Sequence, residues 1–381
     1  MSQRADVVVI GAGVLGAAAA FEMAQRGLQV AVLERGVPNR EGSGTTAGNL
    51  HIQAIHTRRP GQDVPVNSAR LVPLQAASSR LWDNVEDEVG ADFEVRRTGG
   101  FMVAETEADL AQLTEKAVWE KTAGLPTRIL TGDEARAAMS ELGPTIIAAT
   151  WCETDGYANP LLAAPAWLAA AKRLGAAVLH HHQVTALTAT SSGWQVVAGG
   201  DTWGCAAVVN VAGPWLTPVC RLAGLNLPMK PLAIQMHVTT RSDRPLPHLV
   251  QHIGRGLSVK QVVAGNCLIG GGWPALKMDL TGRSEPSVAS LTGNLAEAAR
   301  VVPMLRHLRL LRTWAGPLAA TPDEMPLIGQ MPGAAGLFVA GGTYAFTFAP
   351  LWAKTLAALV CGDPPPIEIG DLGPSRLMEP A

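Results

Sequence analysis

Residues 6–16 read Asp-Val-Val-Val-Ile-Gly-Ala-Gly-Val-Leu-Gly, and residues 28–35 read Leu-Gln-Val-Ala-Val-Leu-Glu-Arg. The β-branched run 6–10 has the pattern of a parallel strand covered on both faces. Gly11, Ala12, Gly13, Val14, Leu15 and Gly16 form a G-x-G-x-x-G turn, and Leu15 to Arg26 read as a helix that Gly27 stops. A second strand over 28–33 ends in Glu34 and Arg35. In such a unit Gly11 permits the tight turn and Gly13 lets the backbone approach a pyrophosphate. Gly16 lets helix and strand pack closely, and the helix N-terminus supplies N–H groups and partial positive charge. Glu34 stands where a carboxylate accepts from a ribose and disfavours a 2′-phosphate, which argues against NADP. The unit by itself leaves FAD and NAD both open.

The bulk numbers fit a large buried core. The chain has 381 residues, 48% hydrophobic and 16% charged, with a formal charge of −2, so nucleic acid and acidic membrane surfaces are poor partners. Five dispersed cysteines without a Cys-x-x-Cys pair read as reduced, buried thiols; of these, Cys267 and Cys361 are the candidates for a covalent flavin link. Asp6 before the apolar run speaks against a secretory signal, and no run reaches the ~18 apolar residues of a membrane span. The expectation is a cytoplasmic protein, with loose association with the inner membrane through its electron acceptor as a variant of it.

Outward from the first unit, residues 36–70 read as a long, functional loop with a helix start near Thr45. Helices follow over 71–90, 106–122, 132–138, 161–174, 286–301 and 345–361. Strands are expected over 93–104, 176–190, 194–198, 203–211 and 337–341, and in the runs LAIQMHVTT, LSVKQVV and CLIGGGW between 226 and 314. The fold class is α/β plus β: a Rossmann-like nucleotide domain (1–80, 150–220 and 316–381) interleaved with a mixed-sheet substrate domain (81–149 and 221–315).

Two distant segments add to this. VVNVAGPW (208–215) is an apolar strand ending in Ala-Gly. The closing part of the chain holds Trp314-Ala315-Gly316, then TPDEMPLIG (321–329) and LFVAGG (337–342). Together with the first turn they resemble the FAD-dependent amine and D-amino acid oxidoreductase superfamily, which includes D-amino acid, glycine and sarcosine oxidases. The likeness runs from Asp6 to about Arg376. It is nearest to the β-subunits of heteromeric opine (octopine or nopaline) dehydrogenases, hydrogen cyanide synthase and D-hydroxyproline dehydrogenase. The resemblance implies FAD and a subunit partner carrying an iron–sulfur centre or a second flavin. It further implies that Thr45, Thr46, Ala47 and Gly48 lie against pyrophosphate and isoalloxazine, and that Asn49, Leu50 and the residues to Gln53 run beside the ring. Val184 would contact adenine, Ala212, Gly213 and Trp215 would close the nucleotide site, and Gly341, Gly342, Thr343 and Tyr344 would face the flavin. Two departures stand out. Gly341-Gly342-Thr343 replaces the Gly-His-Gly of many relatives, and Pro317-Leu318 replaces the arginine that binds a free amino acid's carboxylate in glycine-oxidase-like members.

The resemblance implies oxidation of a C–N bond in a secondary amine or imino acid (opine, N-alkyl amino acid or D-proline-like). The competing readings are a self-sufficient peroxide-producing oxidase, a non-catalytic FAD-containing scaffold and, last, an NAD-only dehydrogenase. Candidate catalytic residues are His51, Gln53 and His56 in the loop, and Tyr344 at the last helix entrance. Arg255, Lys260 and Arg312 are the candidate carboxylate ligands. Gly270-Gly271-Gly272-Trp273 reads either as close backbone approach to substrate or as a strand end. His180-His181-His182 falls in an expected strand, where alternation prevents one compact metal site, so no metal is expected.

Overall fold

The computed structural model describes residues 2–55, 68–276, 280 and 284–378. Its centre is a six-stranded sheet in the order Leu327–Gln330, Leu337–Gly341, Ala207–Asn210, Val7–Ile10, Val30–Leu33, Ala177–Leu179. All its strands are parallel except Leu327–Gln330, which is antiparallel at one edge. VVVI, VAVL and AVVN are buried at every position, as a parallel sheet covered on both faces requires. The helix Val14–Gln25 lies against Pro160–Arg173 and Ala349–Cys361. Ala17, Ala18, Ala19 and Ala20 are all buried on it, and their small side chains let the neighbouring helices approach. The carboxyl ends of Val7–Ile10, Ala207–Asn210 and Leu337–Gly341 therefore lie side by side, the edge of an open α/β sheet where ligands bind.

A four-stranded sheet packs nearby in the order Ser2–Arg4, Asp201–Cys205, Gly193–Ala198, Val184–Thr190. The third sheet is eight-stranded and mixed: Leu310–Ala320, Lys230–Arg241, Asn266–Gly270, Leu257–Gln261, Leu249–His252, Gly100–Ala104, Ala148–Cys152, Thr127–Thr131. Both Ala148–Cys152 and Leu310–Ala320 pair wholly within this sheet, so the segment limits expected at 150 and 316 fall inside strands.

Several elements differ from expectation. The four-residue helix Gly42–Thr45 ends at Thr45 instead of starting there. The helix expected over 71–90 is two, Ser68–Trp82 and Val85–Val89, and only Gly100–Ala104 of 93–104 is a strand. The run 176–190 is broken: His181 has φ 58°, and residues 180–182 bend across the end of the strand Val30–Leu33. There the Leu179 carbonyl accepts from Glu34 N–H, and His182 N–H donates to the Glu34 carbonyl. Backbone hydrogen bonds to a neighbouring strand end thus overrode the β pattern. Among the described residues no cluster of metal-ligating side chains occurs, and no helix is long and apolar enough to cross a membrane. Four cysteines are buried, but Cys361 is exposed, against the expectation of burial for all.

Candidate functional site

The turn after Val7–Ile10 is closed by contacts that only glycine allows. Gly11 has φ 104°, and a Cβ there would meet the Val211 carbonyl oxygen at 3.0 Å. A Cβ on Gly16 would lie 1.9 Å from the Gly11 oxygen, so the helix could not sit this close to the turn. The Glu34 carboxylate accepts from Ala12 N–H (2.9 Å) and from Gly36 N–H (2.8 Å). Val14 N–H, at the helix N-terminus, donates to Ser43 Oγ at 2.9 Å. That hydroxyl oxygen occupies the kind of position a phosphate oxygen takes on a helix N-terminus, and it belongs to a residue sequence reasoning passed over.

Around this turn lies a cavity of about 250 Å³ whose walls include Gly11, Gly13, Glu34, Arg35, Val184 and Trp215. Ala212 and Gly213 line it too, as do His182 and Gln183, which the sequence pattern placed in a strand. Arg35 stacks over the Trp215 ring at 3.7 Å from its centroid. Ala12, Val14 and Leu15 are buried beneath, in the core. A larger cavity of about 940 Å³ adjoins it, and Arg40, Glu41 and Trp215 belong to both walls. Thr45, Thr46 and Ala47 line the large cavity, as do Lys260 and Arg312. A glycine-shaped turn at a helix N-terminus, a carboxylate on the next strand and two adjoining cavities have the form an extended dinucleotide needs.

Residues 47–54 are held from the eight-stranded sheet. Gly48 has φ 76°, and a Cβ there would meet the Ala158 oxygen at 2.2 Å. The Lys260 ammonium donates to the Ala47 carbonyl and to Asn49 Oδ1, while Asn49 Nδ2 donates to Ser258 Oγ. Burial pulls the Lys260 pKa down to about 7, with Asp155 opposing; its Nζ also lies 4.6 Å from the centre of the Tyr157 ring. Leu50 is buried in the core instead of lining either cavity.

Gln53 departs from the role suggested for it. It is fully buried, with Oε1 accepting from Lys116 Nζ and Thr150 Oγ1, and Nε2 donating to Asp155 and the Gly100 carbonyl. Its polar atoms are consumed by the packing network, and it reaches neither cavity. Arg255 is likewise away from them, paired with Glu105 and Glu297. His51 and Tyr344 are brought together, their rings edge-to-face at 5.7 Å, and both have positive φ (44° and 61°). Neither lines the two cavities, nor do Gly341, Gly342 and Thr343; Thr343 Oγ1 donates to the Glu324 carbonyl. Residues 270–273 form a packed strand end in which Trp273 Nε1 donates to the Gly256 carbonyl. His56 lies outside the described residues. Tyr157, Glu94 and Asn159 line the large cavity without having been foreseen. Tyr157 arrives through isolated bridges to Asn49 and Arg96, which carry no local sequence signal.

Fold and site define a dinucleotide-binding α/β protein with an added eight-stranded mixed sheet. The chain belongs to the DAO family, described as FAD dependent oxidoreductase, whose model matches residues 6–359. It is 30% identical over 381 residues to a glycine oxidase of Pseudomonas aeruginosa, covering 98% of this chain and 99% of that one. It is 25% identical over 346 residues to an opine oxidase subunit of Rhizobium meliloti, covering 88% and 87%. The crystal structure of glycine oxidase from Geobacillus kaustophilus superposes with TM-score 0.89 at 27% identity, covering 99% of this chain and 100% of that one. The protein is thus an FAD-dependent oxidoreductase, and FAD, rather than NAD, is its cofactor.

Proposed function

We propose that this chain is the flavin-bearing subunit of a dehydrogenase or oxidase that oxidises the C–N bond of a secondary amine or imino acid, such as an opine, an N-alkyl amino acid or a D-proline-like compound. The observation that carries the reading is the large cavity, lined by Thr45, Thr46 and Ala47 of the loop expected beside the flavin and by Lys260, which is hydrogen-bonded to that loop at Ala47 and Asn49. Pro317, standing where an arginine would bind a free amino acid, lines the same cavity. Bound FAD supplies the hydride acceptor, its ring nitrogen N5.

In this reading Gly11, Gly13, the N-terminus of Val14–Gln25 and Arg40 hold the pyrophosphate, and Glu34 accepts from the adenosine ribose. Val184, Ala212, Gly213, Trp215 and Arg35 enclose the adenosine half, and Thr45, Thr46 and Ala47 border the flavin half. By the family likeness Gly48, Asn49, Gly341, Gly342, Thr343 and Tyr344 would face the flavin, although they line neither cavity. Lys260 receives the carboxylate next to the amine. An incoming anion offsets the desolvation that weakens its charged form, so binding holds the proton on Nζ. The amine must arrive unprotonated to release hydride, and the mainly apolar walls, Leu268, Val238 and Ala315 among them, favour the neutral amine. The imine leaves and hydrolyses to a carbonyl compound and an amine.

That the opine oxidase relative is itself one subunit of its enzyme supports a subunit role, with electrons passing to a partner that holds an iron–sulfur centre or a second flavin. Anaerobic mixing of the FAD-loaded protein with a panel of secondary amines and imino acids should bleach the flavin's visible absorption. A panel without any bleaching removes the reading. Rapid peroxide formation by the isolated chain would replace the subunit role with that of a self-sufficient oxidase.

A further inference from the structure

Four residues of the eight-stranded sheet form one row across four neighbouring strands. Lys260 is the register partner of Leu268, Leu268 of Val238, and Val238 of Arg312. All four line the large cavity, so the row is one stripe of its wall: cation, apolar, apolar, cation. Its ends are three strand spacings apart, about 14 Å between backbones.

The outer end of the row is built with care. Between the strands Lys230–Arg241 and Leu310–Ala320 the pairing steps from Val238↔Arg312 to Thr239↔Leu310, leaving Leu311 as an extra residue. A bulge of this kind re-aims side chains. It explains why Leu311 and Arg312, adjacent in sequence, both line the cavity when strict alternation would send one away. The strand is the sheet's edge, and Arg312, exposed and part of the cavity wall, has no ion pair among the described residues. The cavity's acids have other partners: Glu94 accepts from Asn159, and Glu41 lies 3.7 Å from Arg35.

We propose that the cavity takes dicarboxylic secondary amines, with Arg312 as the specificity-determining anchor for the carboxylate remote from the flavin loop. This rests on the reading of the chain as a secondary-amine oxidoreductase, with Lys260 receiving the near carboxylate. Leu268 and Val238 give an apolar stretch between the two charges, so the substrate's two acids are separated by a hydrocarbon arm. A guanidinium suits this end: it stays charged in water at any working pH and binds a carboxylate through two parallel N–H donors.

Binding tests this apart from turnover. The probes are thioether dicarboxylates, in which sulfur replaces the amine nitrogen so that no C–N bond can be oxidised, with arms of increasing length, each paired with its analogue ending in a carboxamide. Isothermal titration of the FAD-loaded protein should show one arm length binding about tenfold or more tighter as the acid than as the amide. Arg312→Gln should collapse that ratio to about one, and Arg312→Lys should keep part of it. Equal affinity for acid and amide in the unaltered protein overturns the proposal, as does a ratio that survives Arg312→Gln. The amine panel separates the two failures. Bleaching by amines together with an Arg312-independent ratio sinks the anchor alone. An Arg312-dependent ratio without bleaching by any amine sinks the functional reading and leaves the anchor supported.

Discussion

Lys260 Nζ lies 2.6 Å from Asn49 Oδ1 and also donates to the Ala47 carbonyl, so one buried ammonium fixes the three-residue segment 47–49 to the eight-stranded sheet. Asn49 passes the restraint on by donating to Ser258 Oγ at 2.6 Å. The position of residues 47–49 is thereby set by a strand more than two hundred residues away in sequence.

The pH dependence of stability should carry this lysine's signature. Its pKa falls from 10.5 to about 7 on folding because burial disfavours the charge. Between pH 7 and 10.5 the unfolded chain holds a proton that the folded one lacks, so stability rises with pH across that window. Relative to Lys260→Met, the unaltered protein should gain on the order of 2–4 kcal/mol between pH 7 and pH 10. Urea denaturation of both at the two pH values measures it; a difference that does not move with pH contradicts the assignment.

A second buried cation holds the far end of the same loop. Lys116 Nζ lies 2.6 Å from Glu120 Oε1 and 3.1 Å from Gln53 Oε1, and Glu120 accepts the Ala54 N–H at 2.7 Å. Both charged side chains are fully buried. Lys116→Met should cost about 3–5 kcal/mol, because Glu120 is left charged without its partner. Lys116→Met combined with Glu120→Leu should recover most of that loss in the same denaturation assay. A double variant no more stable than the single one would refute the pair's role.

Glu34 ties the nucleotide turn together through Ala12 and Gly36. Removing its carboxylate with Glu34→Ala should weaken FAD binding about 10- to 100-fold, the worth of charge-assisted hydrogen bonds lost to ribose and turn. Titrating the apoprotein with FAD and following flavin fluorescence reads the change. Unaltered affinity would place the ribose elsewhere.

Gly16→Ala puts a Cβ 1.9 Å from the Gly11 oxygen, a backbone atom that cannot swing away. The helix must shift off the turn, and the expected result is a protein that purifies without yellow colour or with FAD affinity reduced at least tenfold. Yellow protein with unaltered FAD affinity would show that the turn can relax at no cost.

The strand–turn–helix–strand unit was legible in the sequence. Gly11, Gly13, Gly16 and Glu34 lie within a short span, and the structure gathers them at one turn. Ser43 and Arg40 were missed because nothing local marks them: each matters only through the return of a loop onto the turn. Gln53 and Arg255 are paired away from both cavities, which nothing local in the sequence marks either. A polar side chain in a loop or on a strand looks the same in sequence whether it faces a cavity or, like Gln53, is consumed by Lys116, Thr150 and Asp155.

The sequence by itself marked a dinucleotide turn at the end of its first strand, and the resemblance carried by segments 208–215 and 314–342 implied FAD, the cofactor of its family. The turn is a matter of local backbone chemistry, which a short motif encodes directly. Only the tertiary structure decided which cations face the large cavity. Lys260 and Arg312 lie on different strands, and the row that joins them depends on strand register and on a bulge at Leu311. Register is a long-range property, since slipping one strand by one residue turns every side chain on it to the opposite face.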